Sequence, residues 1–199
     1  YAAQPVAYAA QPVAQPVAYA AQPPPPFYAA PQSALQQWFQ SVDTDNSGRI
    51  SPQELQRALA MGGLNFSMKL ASSLIRMHDA NSSNTLDFGE FSALHTYLQS
   101  LQQTFATCDR GRTGKLNLSE VQDALRRLGF DLDMAPDGAF YKLVQSFDFN
   151  QEGTVVLDSF IALCIQVRNA QKVFNLFDAQ RTGRVTLDFN QFIWSVAQL

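Results

Sequence analysis

From position 34 onward the apolar residues of the chain fall in helical register. Leu35, Trp38, Phe39 and Val42 occupy one face at i, i+3, i+4 and i+7. A polar stretch from Asp43 to Glu54 interrupts that pattern, and Leu55, Ala58 and Leu59 resume it as far as Gly62-Gly63, which ends a helix. Pro52 falls in the first turn of the second helix, where a missing N–H costs little. The pattern predicts a helix–loop–helix unit, and the unit recurs. Polar loops open at Asp43, Asp79, Asp109, Asp148 and Asp178, which are 36, 30, 39 and 30 residues apart. After a loop of twelve, a short gap leaves about 18 residues, enough for one helix of ~27 Å but not for two helices and a turn. Phe88–Cys108 and Asp158–Phe177 are therefore expected as single helices shared by neighbouring units. The longer gaps hold Gly62-Gly63 and Gly129…Pro136-Asp137-Gly138, turn signals at which separate helices fold back. The eighth position of every loop is aliphatic: Ile50, Leu86, Leu116, Val155 and Val185. The expected fold class is all-α, an array of five helix–loop–helix units with short β-bridges between paired loops.

Residues 1–32 break this picture. Tyr1–Ala7 recurs at Tyr8–Ala14, shorter copies follow, and Pro23–Pro26 precedes Phe27-Tyr28. An uncharged segment with a Pro every few residues excludes helices and strand ladders and favours polyproline II. It reads as a disordered tail, serving as a linker, as a ligand for an aromatic-lined groove, or as a weak membrane or self-association element through its Tyr and Phe. The remainder, 33–199, reads as one folded domain with units near 34–62, 66–98, 88–128, 138–168 and 158–199.

Composition narrows the function. The chain is 16% charged with a net charge of −3 and has no Lys/Arg-rich run, so the footprint of a nucleic-acid binder is missing. No apolar stretch approaches the ~20 residues of a membrane span, and the first residues do not read as a secretory signal. Cys108 and Cys164, the only cysteines, read as reduced thiols, and the expected location is cytoplasmic. Enzymatic chemistry is not expected. His78 and Cys108 immediately precede loops, they and His95, the other histidine, read as helix residues, and no phosphate-binding Gly loop or zinc spacing occurs.

The loops carry the chemistry. Asp43–Glu54 fits D-x-[DN]-x-[DNS]-G-x5-E at each defining position. Calcium takes six to eight hard oxygens and a bidentate carboxylate at loop position 12. The first loop offers Asp43, Asp45, Ser47, the Arg49 carbonyl and Glu54, around the sharp turn at Gly48. The second offers Asp79, Asn81, Ser83, the Thr85 carbonyl and Glu90, with Asp87 at position 9 and Asn84 where Gly is usual. Asn tolerates the left-handed conformation better than most residues. The third has Asp109, Thr113, the Lys115 carbonyl and Glu120, but Gly111 at position 3 brings no oxygen. The fourth begins with Asp148, Asn150 and Glu152 and then places Ser159 at position 12. The fifth keeps Asp178 and places Phe189 there. The first two loops are expected to bind Ca2+, the third to be weaker, and the last two to be architectural.

Five such units, two shared helices, a Pro-rich tail and an eroded fifth unit resemble the penta-EF-hand family over residues 34–199. The resemblance implies an EF-hand array and dimerisation through the last helix, here Phe189-Asn-Gln-Phe-Ile-Trp-Ser-Val. It also implies reliance on the third loop, which Gly111 weakens here, so affinity shifts toward the N-terminal pair. The residues support dimerisation independently. The fifth loop leaves a strand edge at Arg184-Val185-Thr186, and its flanks carry Phe174, Phe177, Phe192, Ile193 and Trp194, apolar surface that a symmetric copy or a related chain would cover. The expected function is a calcium sensor and adaptor that exposes an apolar surface to partner proteins or to a membrane surface. The alternatives are a regulatory subunit of a calpain-like protease and a calcium buffer.

Overall fold

The computed structural model describes residues 32–130, 132, 138–147 and 152–197. The tail as far as residue 31, and Asp148 and Asn150 of the fourth loop, lie outside the described residues. The helices are α1 (Gln32–Val42), α2 (Pro52–Met61), α3 (Met68–His78), α4 (Phe88–Cys108), α5 (Leu118–Arg127), α6 (Ala139–Gln145), α7 (Leu157–Phe177) and α8 (Phe189–Ala197). Two three-residue strands, β1 (Lys115–Asn117) and β2 (Thr154–Val156), complete them. The 21-residue α4 leaves the second loop and enters the third, and α7, also 21 residues, joins the fourth and fifth.

The aliphatic eighth positions join the loops in pairs. Ile50 and Leu86 exchange backbone hydrogen bonds of 2.8 and 2.9 Å as an antiparallel bridge. β1 and β2 form the matching antiparallel ladder, with Leu116 opposite Val155. All four residues are at most 2% exposed, because a pleat places the bridging side chain under the loop pair, on top of the helices. Val185 of the fifth loop has no strand partner among the described residues.

One continuous core runs beneath both loop pairs. From α1, Trp38 packs tilted and Phe39 edge-on against Phe91 of α4, at centroid distances of 4.7 and 5.4 Å. Further along α4, Phe105 meets Phe160 of α7 at 5.6 Å, so the two shared helices form the spine that holds the pairs together. The C-terminus of α2 shows why its end was legible. Gly63 takes φ +85°, the Leu64 N–H bonds the Leu59 carbonyl at 2.9 Å, and Leu64 turns back into the core.

The fifth unit differs from the rest. α8 has no buried residue: Phe189, Phe192, Ile193, Trp194 and Val196 are all about half exposed or more. Leu176 near the end of α7 is 63% exposed.

Candidate metal centres

Each complete loop is built on a fixed offset between its ninth and twelfth positions. The exiting helix begins at position 10, so position 9 is its N-cap and position 12 is its third residue. Ser51 with Glu54, Asp87 with Glu90 and Asn117 with Glu120 are accordingly reciprocal capping boxes. The acid that must close a calcium site is thus held by the helix that follows it.

The first loop is the most completely assembled. Glu54 is 6% exposed. Its Oε1 accepts from the Thr44 N–H and hydroxyl, both at 2.8 Å, and its Oε2 from the Ser51 N–H at 3.0 Å and hydroxyl at 2.7 Å. At the other side of the loop Asp43 accepts from the Ser47 N–H at 2.9 Å and the Gly48 N–H at 2.8 Å. Carboxylate oxygens of Asp43, Asp45 and Glu54 lie within 4.8 Å of one another. Oxygens about 2.3–2.6 Å from a common ion can be no more than roughly 5 Å apart, so the three fit one calcium. The Ser47 hydroxyl bonds the Arg49 carbonyl at 3.0 Å, which gathers the fifth- and seventh-position oxygens at the same place.

These hydrogen bonds have an electrostatic signature. Burial opposes ionisation of Glu54, but the donors from Ser51 and Thr44 outweigh it and hold the carboxyl at about 2, against an ordinary 4.5. Hydrogen bonds from Ser47 lower Asp45 as well. A carboxyl held low in the folded chain contributes stability above its ordinary pKa and loses it as the pH falls toward the folded value. The chelated protein is therefore expected to lose thermal stability between about pH 4.5 and pH 2. Glu54→Gln should lose distinctly less over that window. Melting curves by circular dichroism in a chelating buffer check this, and parallel losses in the two chains would contradict it.

The second loop repeats the frame. Asp79 accepts from the Ser83 N–H at 3.1 Å and the Asn84 N–H at 2.7 Å, and those bonds lower its pKa despite the opposing effect of burial. Asn84 adopts φ +58° where Gly48 adopts +75°, so Asn supplies the left-handed turn. Glu90 accepts from the Ala80 N–H at 2.9 Å and the Asp87 N–H at 3.0 Å. The third loop keeps the frame too, with Gly114 N–H to Asp109 at 2.8 Å and Asn117 N–H to Glu120 at 3.0 Å, but Gly111 leaves its third position without a side-chain oxygen.

The remaining loops depart from it. Val156 caps α7 without a side-chain hydrogen bond, and Ser159 at position 12 is buried. Asp158, one residue earlier, instead accepts the Asn65 N–H at 3.0 Å and ties the α2–α3 turn to α7. In the fifth loop Asp178 holds Thr182 and Gly183 in the usual way. Its closing register, however, is not the one expected from counting to Phe189. The capping pair is Asp188 with Gln191, at 2.9 and 3.0 Å, and α8 starts at Phe189, two residues later in its loop than α2, α4 and α5 do in theirs. The pattern D-x-x-Q at 188–191 is the signal for this shift. Thr44, which holds Glu54 twice, is the other residue that loop counting does not mark.

Cys108 and Cys164 are buried, and burial pushes both thiols up, away from thiolate. His78 packs on Tyr97 at 5.6 Å, and burial together with nearby Arg168 lowers its pKa.

Paired loops bridged at their eighth positions, three of them built on an opening aspartate and closed by a helix-capping glutamate, define a calcium-binding EF-hand protein. A family model described as an EF-hand domain pair matches residues 32–95 and 98–165. The chain is 33% identical over 161 residues to peflin of Danio rerio, covering 80% of this chain and 58% of that protein. It is 31% identical over 157 residues to penta-EF hand domain-containing protein 2 of Dictyostelium discoideum, covering 79% and 74%. A solved structure of a homolog of programmed cell death 6 protein from Leishmania major Friedlin matches with a TM-score of 0.61 at 36% identity, over 85% of this chain and 95% of that one. The chain belongs to the penta-EF-hand family. It spans a little over half the length of the peflins it matches. Among the described residues no helix is long and apolar enough to cross a membrane.

Proposed function

We propose that the chain is a calcium sensor and adaptor whose principal metal sites are its first two loops. The first site uses Asp43, Asp45, Ser47, the Arg49 carbonyl and Glu54. The second uses Asp79, Asn81, Ser83, the Thr85 carbonyl and Glu90. The observation that carries this reading is the convergence of three carboxylates within 4.8 Å in the first loop, with Glu54 already held by both oxygens. The third loop, through Asp109, Thr113, the Lys115 carbonyl and Glu120, is a weaker site. The fourth and fifth are architectural, and the fifth joins two copies or a related chain.

In this reading calcium shifts the helices that flank the loops and widens an apolar surface for a partner protein or a membrane surface, in the cytoplasm. A cleft between α3 and α7, lined by Phe66, Leu70, Ala162 and Ile165, is the place where such a change would be felt. Calorimetric titration together with a hydrophobic fluorescent probe tests the proposal. Two tight sites per chain and a calcium-dependent rise in probe fluorescence are expected. Two sites with unchanged fluorescence would leave a buffer in place of a sensor, and fewer than two tight sites would remove the ligand assignment.

A further inference from the structure

The side chain of Arg49 does not stay with its own loop. It crosses the Ile50–Leu86 bridge and lies among the oxygens of the second loop. Its Nε–H bonds the Thr85 hydroxyl at 2.7 Å. Its Nη2 donates to the Ser83 hydroxyl at 2.6 Å and to Asn81 Oδ1 at 3.3 Å, and stands 4.0 Å from Glu90 Oε2. Three of those residues, Asn81, Ser83 and Glu90, supply the third, fifth and twelfth ligands of the second site. A guanidinium, a fork of donors carrying one positive charge, therefore meets oxygens that a calcium ion needs. The second loop pair contains the same arrangement, since Lys115 at position 7 of the third loop pairs with Glu152 at position 5 of the fourth. Position 7 is basic in the first, third and fifth loops (Arg49, Lys115, Arg184) and Thr in the second and fourth (Thr85, Thr154). The bridge explains the reach: it sets position 7 of one loop diagonally across from the turn of its partner.

We propose that Arg49 is a resident competing cation of the second loop, so that a side chain of the first loop sets the calcium affinity of the second. This rests on the reading that the second loop binds calcium. The ion must displace the guanidinium from Ser83 and Asn81 before those oxygens can coordinate it. The Arg49 carbonyl meanwhile remains a ligand of the first loop, so one residue serves both sites with opposite effects. Arg49 is 37% exposed at its side chain, which limits its hold to that of a partly solvated charge.

The two sites can be followed separately in one nitrogen–proton correlation spectrum. The Gly48 N–H bonds Asp43 and the Asn84 N–H bonds Asp79, so each amide reports filling of its own loop. In a calcium titration of Arg49→Met, which keeps the backbone carbonyl and most of the apolar stem, the Asn84 midpoint is expected to move about three- to fivefold toward lower calcium, the range of a partly exposed ion pair. The Gly48 midpoint, read in the same spectra, follows the first loop, and the Asn84 shift is expected to exceed any shift at Gly48. Arg49→Lys, which keeps the charge, should recover part of the wild-type midpoint. An Asn84 midpoint that stays put or moves to higher calcium overturns the proposal. So does a lysine chain that binds as tightly as the methionine one, since loss of charge would then not be the cause. Absence of any calcium response at Asn84 in every chain would overturn the proposal together with the reading of the second site. An equal response in all chains would overturn the proposal alone.

Discussion

Glu54→Gln is expected to remove calcium from the first loop, weakening that site by at least about 100-fold, since even groups that only orient a metal's ligands are worth 10–100-fold. The size follows from how completely both carboxylate oxygens are used. Oε1 faces two donors from Thr44 and Oε2 faces two from Ser51. An amide replaces one acceptor with a donor, so either orientation turns an NH2 toward N–H and hydroxyl hydrogens in a position that is 6% exposed. The amide can no longer offer two anionic oxygens to the ion, and it breaks the capping box at the start of α2. Loss of such a cap costs roughly 1 kcal/mol. For a chain of this length that lowers the melting temperature of the chelated protein by about 2–4 °C at neutral pH. Two measurements therefore move together: one tight site disappears from the calorimetric titration, and the metal-free melt falls slightly. Glu90→Gln should delete the second site and spare the first, because the two frames share no carboxylate. A Glu54→Gln chain that still titrates with undiminished stoichiometry and affinity would end the assignment of the first loop.

Much of this architecture was legible because it depends on local periodicities. Ile50, Leu86, Leu116 and Val155 recur at one loop offset, and that offset places all four on the buried side of a bridge. The gaps between loop starts admit one helix where they are short, and α4 and α7 are those helices. The candidate ligands of the first loop follow from their spacing within twelve residues, and three of them, Asp43, Asp45 and Glu54, bring carboxylate oxygens within 4.8 Å of one another. What counting within a loop does not reach is anything that crosses between loops. Arg49 and Ser83 are 34 residues apart, and their contact exists only once the bridge sets the register. Asp158 sits one residue short of the closing position of its loop, and its partner, the Asn65 N–H, lies 93 residues distant. The late start of the helix after the fifth loop is out of reach for a different reason. A fixed count assumes that the exiting helix starts at the tenth position, and here Asp188 and Gln191 cap it two residues later.

Ile193→Asp combined with Trp194→Asp is expected to convert a dimer into a monomer of 22.1 kDa, read by sedimentation equilibrium of the full chain. These side chains are 49% and 47% exposed on a helix that buries none of its residues in its own chain. Trp194 touches Phe177 edge-on at 5.9 Å, and together with Leu176 these rings leave a shallow apolar hollow open to solvent. A patch of that kind at the end of a folded unit calls for a cover, and a second copy presenting the same patch supplies one by two-fold symmetry. The fifth loop points the same way, because Val185 lacks, among the described residues, the strand partner that the other four eighth positions have, and an identical loop could provide it. Two carboxylates in such an interface would lose their hydration without a counter-charge, a cost that exceeds what the remaining apolar contacts return. The helices beneath are expected to melt as before, since no core side chain changes. That separates loss of the partner from loss of the fold. A wild-type chain that sediments as a monomer at micromolar concentration, or a double variant that stays dimeric, would show that α8 is not the joint between chains.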